Sequence, residues 1–261
     1  MSHFKKLDSA QKLIFKEYLK VTSSCKVDPD AWGKIMDENS FVLHTDSFFP
    51  DNFLSEIDLG NNDKIYSDYI EIFEELINNQ DTTERDVLNF LSDDKQFIVA
   101  SIIKNFTIYG HHDRYIFKEF ELPPHHICDY LIIGKNSDGY HFLLVELENV
   151  YKKISIADGD FGETIRKGLN QIDDWKIWID KNFHTFSSNL KRYKSELKTL
   201  PDEFNEYDSS RFSYCVVAGR REDFKDKTYR KIRELSKHNI IITHYDKLIE
   251  ESKNLLQANR Y

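Results

Sequence analysis

Two apolar runs separated by a polar turn constrain the fold of this chain most strongly. The first run, "ICDYLII", covers residues 127–133, and the second, "YHFLLVELE", covers residues 140–148. The residues between them, "GKNSDG", are of types that favour tight turns. The two runs therefore predict an antiparallel β-hairpin with largely buried strands.

The other patterns predict an α/β fold with a mixed central sheet flanked by helices. Before the hairpin, "YIFKEFEL" alternates as an exposed or half-buried strand, whereas "FSYCVVA" is a continuous apolar run typical of a strand buried on both faces. "NIIIT" predicts the last strand. Helical spacing of apolar residues characterises "GETIRKGLNQIDDWKIWIDKN", "KTYRKIRELSK" and "YDKLIEESKNLL". The order helix, three strands, helix, strand, helix, strand indicates the α/β class.

The chain of 261 residues is long for one domain and short for two. Helical stretches around an aromatic-rich middle predict a mainly helical N-terminal accessory segment over residues 1–78. The segment "NNQDTT" interrupts the helical pattern, and residues 79–261 are predicted to form the main domain. The run 181–210 predicts a helical excursion followed by a loop.

Composition and cysteine spacing narrow the class of protein. The formal charge of −9 argues against non-specific nucleic-acid binding by the surface as a whole, so such a role requires a local basic patch. The three cysteines, Cys25, Cys128 and Cys215, have no metal-binding or disulfide-framework spacing, which fits buried thiols in a reducing compartment. The absence of a signal-peptide pattern and of a long apolar run predicts a cytoplasmic protein without membrane contact.

Acidic residues occupy positions in the hairpin that are otherwise apolar. In a symmetric hairpin centred between Ser137 and Asp138, facing residues have numbers that sum to 275, so Asp129 lies opposite Glu146. Glu148 lies on the same side, one pleat further along. Like charges brought together and desolvated on a sheet are unfavourable unless a cation compensates them. The arrangement predicts a site for a hard divalent cation such as Mg²⁺; the alternative is that these acids are solvated residues at a sheet end.

The order of these residues resembles that of a known nuclease superfamily. Asp129, then Glu146-Leu147-Glu148 on the next strand, then Gln171 on a helix, resembles the arrangement of the PD-(D/E)XK nucleases. More narrowly, the blocks "LLVELENVYKKI", "IRKGLNQIDDWKIWI", "VVAGRRED" and "IIITHYDKLI" resemble the C-terminal nuclease domain of the Shedu antiphage defence family, over roughly residues 80–255. The resemblance implies a restriction-endonuclease-like core.

The resemblance also implies roles for individual residues. Asp129 and Glu146 are expected to bind Mg²⁺, for which Mn²⁺ can substitute, with Glu148 as a further ligand or a water-orienting base. Gln171 is expected to position the water or a phosphate. The superfamily has lysine where this chain has Glu148, so Lys152 or Lys153 is expected to supply the missing ammonium group. Parity along an unbroken strand favours Lys152, and the pattern of relatives favours Lys153.

Other features have two interpretations each. Glu84 is either part of a helix-capping box "DTTE" at residues 81–84 or an additional metal ligand. Trp175 and Trp178 are expected to be core anchors on the helix of Gln171. The basic stretch "GRREDFKDKTYRKIRELSK" is either a solvated helix face or, with Lys152, Lys153, Arg166 and Lys167, the phosphate-binding patch. The pairs His111-His112 and His125-His126 are expected to be loop residues.

These observations predict an enzyme: a Mg²⁺-dependent deoxyribonuclease that hydrolyses DNA phosphodiesters in defence against phage or other foreign DNA. The alternative is a catalytically degenerate nuclease-fold module that binds nucleic acid or a protein partner as a sensor. A structural protein is a third possibility. Family analogy predicts a homo-oligomer and a regulatory contact through the N-terminal segment.

Overall fold

The computed structural model describes residues 7–23, 32–33, 35, 39–106, 113–156 and 158–258. They form an α/β structure around a five-stranded mixed sheet, as predicted. The strands follow the order of the chain: β1 (Arg114–Leu122), β2 (His126–Asn136), β3 (Gly139–Leu147), β4 (Phe212–Val217) and β5 (Ile240–Thr243).

The hairpin of β2 and β3 has the predicted register. Tyr130 faces Val145 and Asn136 faces Gly139, so the numbers of facing residues sum to 275. β1 pairs antiparallel with β2, whereas β3, β4 and β5 pair in parallel. The sheet therefore carries an antiparallel half and a parallel half, and β3 joins them.

Helices pack on both faces of this sheet. The helices are α1 (Ser9–Thr22), α2 (Phe41–Asp46), α3 (Glu56–Asn61), α4 (Asp63–Asn78), α5 (Glu84–Phe90), α6 (Phe97–Ala100), α7 (Glu163–Lys191), α8 (Asp226–Ser236) and α9 (Tyr245–Ala258). Short 3-10 turns lie at Pro50–Asn52, Asp93–Gln96, Ser101–Asn105, Asp202–Phe204, Ser209–Arg211 and Arg221–Asp223.

The two faces of the sheet bury different helices. One core contains α7, whose Trp175 and Trp178 pack with Phe142 and Leu144 of β3. The other core contains α4, α5, α6 and α9 against the opposite residues of the strands, such as Leu143. Trp175 and Trp178 are buried core anchors, as predicted, and the Trp178 indole Nε1–H donates to the Pro123 carbonyl at 2.8 Å.

One expectation about these elements was wrong. β1 is largely buried rather than exposed or half-buried, because a segment before it covers its edge: Phe53 forms a bridge with Tyr115, and the Asn52 side chain donates to the Ile116 carbonyl at 2.9 Å. The predicted helical excursion and loop over 181–210 are present: the helix continues to Lys191 across non-helical backbone at Asn182, and a loop with short 3-10 turns follows.

The described part of residues 1–78 is mainly helical and packs on the rest of the chain. Buried residues of α4, including Phe73 and Ile77, share a core with Tyr245 and Leu248 of α9. The division between residues 1–78 and 79–261 stays a prediction.

The described cysteines agree with a further expectation. Cys128 and Cys215 are buried free thiols. Cys25 and the pair His111-His112 lie outside the described residues, whereas His125 lies in the turn before β2 and His126 begins that strand. Within the described ranges no helix combines the length and apolarity needed to cross a membrane.

Candidate active site

Four carboxylates gather where β3 reaches its carboxyl end. Asp129 lies near the start of β2, Glu146 lies in β3, Glu148 follows the strand, and Glu84 begins α5. Glu146 belongs to the face of β3 that α7 covers, because it has the parity of Phe142 and Leu144. The sheet and α7 together therefore position the acids that the sequence singled out.

Glu146 lies beneath α7 and is nearly inaccessible. It is 4% exposed, and its Oε2 accepts a hydrogen bond of 3.1 Å from the Gln171 side-chain Nε2. Burial, followed by the negative charges of Asp129 and Glu148, raises the pKa of Glu146 well above its usual range. Gln171 thus contacts one of the acids directly, and its role in positioning water or a phosphate stays a prediction.

Asp129 lies in β2 and is hydrogen-bonded to the neighbouring strand β3. Its Oδ2 accepts a hydrogen bond of 2.7 Å from the Leu147 backbone N–H. Burial raises the pKa of Asp129 even though this hydrogen bond acts in the opposite direction. The chain thus pairs two acids that both resist ionisation, which is unfavourable for folding unless a cation or a proton is bound.

Glu148 is held by its backbone at the end of the strand. Its N–H donates to the Val217 carbonyl at 2.8 Å, and the Tyr245 hydroxyl donates to its carbonyl at 2.6 Å. The residue is 2% exposed, and burial raises the pKa of its carboxyl to about 7. Oε2 accepts from Lys167 Nζ at 3.0 Å, whereas buried Oε1 has no hydrogen-bond partner among the described residues.

Lys167 of α7 is the cation that contacts these acids. Its Nζ lies 3.0 Å from Glu148 Oε2 and 3.6 Å from Glu84 Oε2. The spacing of four residues between Lys167 and Gln171 puts both on the same face of the helix. The sequence also placed Lys167 in a candidate phosphate-binding patch, but it did not indicate the ion pairs with Glu148 and Glu84.

Lys152 and Lys153 form no ion pair with these acids among the described residues. β3 ends at Leu147, and the Asn149 side chain accepts from the Tyr151 N–H at 2.8 Å, so the chain bends before it reaches these lysines. Both are exposed, and no ion pair joins either of them to an acid in the described structure. Strand parity therefore gives no reason to prefer Lys152, because the strand does not continue that far.

Gly168 allows α7 to approach the site closely. A Cβ added at this residue would lie 2.8 Å from Val216 Cγ1 and 3.5 Å from Glu148 Cγ, the first of which is too close for any real side chain. Lys167 directly precedes Gly168 in α7, and Gln171 follows Gly168 by about one helical turn. The missing side chain at Gly168 therefore brings both polar residues within reach of the acids.

Glu84 is not part of the predicted capping box. The N-cap of α5 is Thr83, whose hydroxyl accepts from the Asp86 N–H while the Asp86 carboxylate accepts from the Thr83 N–H. Asp81 does not cap the helix. Glu84 instead occupies the first helical position and directs its carboxylate toward Lys167.

The basic stretch that follows β4 is partly neutralised. Arg220 pairs with Asp246 at 2.8 Å, and it also donates to the Ile77 carbonyl at 2.7 Å. Arg221 pairs with Glu250, and Lys231 lies 2.5 Å from Asp160. Much of the charge in this stretch therefore serves to connect elements rather than to form an open patch.

The donor set has the chemistry of a site for a hard cation. Carboxylate oxygens are the ligands that Mg²⁺ prefers, several of these acids resist ionisation, and Glu148 Oε1 lacks a partner among the described residues. In the described part of the chain, however, no three His, Cys, Asp or Glu side chains converge in a ready-made metal cluster. Asp129, Glu146 and Glu148 thus fit a cation by type and charge, and their binding of one requires side-chain rotation.

Comparison with known proteins identifies the family. A search of curated proteins found no match. A sequence model of the family described as "Shedu protein SduA, C-terminal" matches residues 81–249, which include Asp129, Glu146, Glu148, Lys167 and Gln171. The matched region spans the five strands, α7 and the gathered carboxylates. Since it covers well over half of the chain, the protein belongs to the Shedu family.

Proposed function

We propose that this protein is a Mg²⁺-dependent DNA endonuclease acting in defence against phage or other foreign DNA. The observation that carries the proposal is the gathering of Asp129, Glu146 and Glu148 beside Gln171 and Lys167 at one end of the sheet. Membership of the Shedu family supports the defensive role. The mixed sheet flanked by helices is consistent with a restriction-endonuclease-like core of the PD-(D/E)XK superfamily.

The residues have separate tasks in this proposal. Asp129 and Glu146 hold the cation, and Glu148 serves as a further ligand or as a base that orients the attacking water. A bound Mg²⁺ or Mn²⁺ ion would acidify that water and neutralise charge on the phosphodiester. Gln171, when released from Glu146, can donate its side-chain N–H groups to the water or to a phosphate oxygen.

Glu84 has a supporting task. Its carboxylate lies on the outer side of Lys167, which separates it from Glu148. We assign Glu84 to the periphery of the site, where it adds negative charge for the cation. The proposed partners are DNA and further copies of the chain, and residues 1–78 are proposed to make a regulatory contact. A cytoplasmic location accords with these partners.

Plasmid cleavage tests the proposal. The wild type should convert supercoiled DNA to open forms in Mg²⁺ or Mn²⁺, and Asp129→Ala and Glu146→Ala should abolish this. Glu196→Ala, at an exposed acid distant in sequence from the site, is the matched control and should cleave normally. Full activity in both site variants would reject the assignment.

A non-catalytic sensing module is the second candidate. The observation that favours it is the ion pair between Glu148 and Lys167, since glutamate occupies the position where the superfamily has lysine. Calorimetry separates the two candidates: the nuclease should bind Mn²⁺ in a manner that requires Asp129. A module that binds DNA equally well in wild-type and Asp129→Ala forms, without any cation, would support sensing.

A further inference from the structure

The acids of the candidate site create an electrostatic problem for a nuclease. Four carboxylates lie near the position where a phosphodiester would bind, and a phosphodiester is itself an anion. A positive side chain that reaches the phosphate reduces this repulsion and stabilises charge that develops in the transition state. At the strand position where relatives supply such a lysine, this chain has Glu148.

Lys167 has both the location and the accessibility for this task. Its side chain is 56% exposed while its Nζ lies 3.0 Å from the buried Glu148 carboxylate. The ammonium group, which also lies 3.6 Å from Glu84 Oε2, thus stands between the buried acid and solvent, where an entering ligand can reach it. Lys152 and Lys153 follow the bend after β3 and make no ion pair with these acids in the described structure.

The position of Lys167 is also well defined. Close packing at Gly168 fixes the adjacent turn of α7 against Val216, and Gln171 one turn later contacts Glu146. Glu148 is anchored in turn by its backbone contacts with Val217 and Tyr245. The backbone positions of Lys167 and Glu148 are thus set before substrate binds.

We propose that Lys167 is the catalytic lysine of this protein, delivered from the helix instead of the strand, and that Glu148 positions it. This inference rests on the proposed nuclease function. Lys167 would donate hydrogen bonds to a non-bridging phosphate oxygen and keep its proton throughout. Hydrolysis forms a P–O bond to the water oxygen, whose proton passes to solvent, and breaks the P–O bond to the leaving deoxyribose oxygen, which takes a proton from solvent.

Cleavage kinetics provide the first test. Lys167→Met should slow cleavage by about 100-fold or more, as expected for loss of a transition-state donor. Lys181→Met removes an exposed lysine of the same helix and should leave the rate unchanged. Because Lys167→Met leaves Glu148 unpaired, the double variant Glu148→Gln with Lys167→Met serves as a folding control, and it should be at least as slow because Glu148 is itself assigned to the site.

A charge-exchange variant tests whether the position of the lysine determines its effect on the cleavage rate. Glu148→Lys combined with Lys167→Glu returns the lysine to the strand and preserves the ion pair. This variant should regain about tenfold or more of the rate lost in Lys167→Met. Wild-type cleavage rates in Lys167→Met and in its double variant would overturn the inference while leaving the nuclease proposal intact.

Chemical footprinting gives a readout that does not depend on turnover. The wild-type chain is acetylated with and without a short DNA duplex, in Ca²⁺ instead of Mg²⁺, and modification is read by mass spectrometry. The duplex should protect Lys167 and not Lys181. If the wild type cleaves no DNA, the nuclease proposal fails. Footprinting still tests whether Lys167 contacts DNA, and an unprotected Lys167 overturns the inference.

Discussion

Glu146→Gln should stabilise the metal-free protein, and increasingly so as the pH rises. The carboxyl of Glu146 is buried against Asp129 and Glu148, and its pKa is raised. When the pKa of a carboxyl is higher in the folded state than in the unfolded state, its protonation stabilises the fold. This contribution is fully present below the unfolded-state pKa of about 4.3 and is lost as the pH rises toward the folded-state pKa. Glutamine keeps a similar shape and an oxygen for Gln171 but carries no titratable proton.

The size of the effect follows from linkage. Each pH unit between the unfolded and folded pKa values removes about 1.4 kcal/mol from the free energy of unfolding. Between about pH 5 and pH 7 the wild type loses up to about 2.7 kcal/mol through Glu146 alone. Because the neighbouring acids share the effect, we expect the variant to gain about 1 to 2 kcal/mol relative to wild type over this interval.

Urea unfolding in buffer with a chelator measures this directly. The midpoint should rise in Glu146→Gln at neutral pH without a change in slope, and the two proteins should be similar near pH 5. Glu196→Gln, at an exposed acid, is the matched control variant. A difference between Glu146→Gln and wild type that stays constant across the interval would refute the reasoning.

Three further substitutions test the packing and capping that support the site. Gly168→Ala should lower the free energy of unfolding by about 1 to 3 kcal/mol, despite the helix propensity of alanine, because its Cβ would clash with Val216. Gly33→Ala, where an added Cβ has no described atom within 4 Å, is the control. A stabilised Gly168→Ala would contradict the close approach. Tyr245→Phe should cost about 1 kcal/mol by removing the hydrogen bond to the Glu148 carbonyl, and should also slow cleavage; unchanged unfolding would show that the hydroxyl is dispensable. Thr83→Ala should cost about 1 kcal/mol as the loss of an N-cap, whereas Asp81→Ala should be neutral, and the reverse ranking would restore the capping box expected from the sequence.

The hairpin could be predicted from the sequence because its geometry is local. A tight turn centred on Ser137 and Asp138 fixes the register of both strands, and the ladder from Tyr130 to Asn136 follows it. Gln171 was expected in the site because of the resemblance to the PD-(D/E)XK pattern, and helical spacing puts it on the same face of α7 as Trp178. Local periodicity was enough for the hairpin, whereas Gln171 required the resemblance.

The contact between Lys167 and Glu148 required information that periodicity does not contain. The expectation for Lys152 depended on the strand continuing past Leu147, and the turn at Asn149 ends it. Lys167 reaches Glu148 only because Gly168 permits close packing of helix on sheet, a contact between segments distant in sequence.

Burial of β1 was likewise a long-range effect. Its residues alternate in a manner typical of a half-exposed strand, and nothing within the strand indicates that Phe53 and Asn52 cover its edge. The prediction of the α5 N-cap failed for a different reason. Asp81 and Thr83 both have side chains that suit an N-cap position, and in the structure the helix begins after Thr83.

Hydrolysis of DNA in water enriched in ¹⁸O tests the central claim most directly. The wild type with Mg²⁺ should release fragments whose new terminal phosphates carry the label, and Asp129→Ala and Glu146→Ala should release none. Unlabelled DNA after incubation with the wild type, or equal labelling in the two variants, would contradict a metal-dependent phosphodiesterase built on these residues.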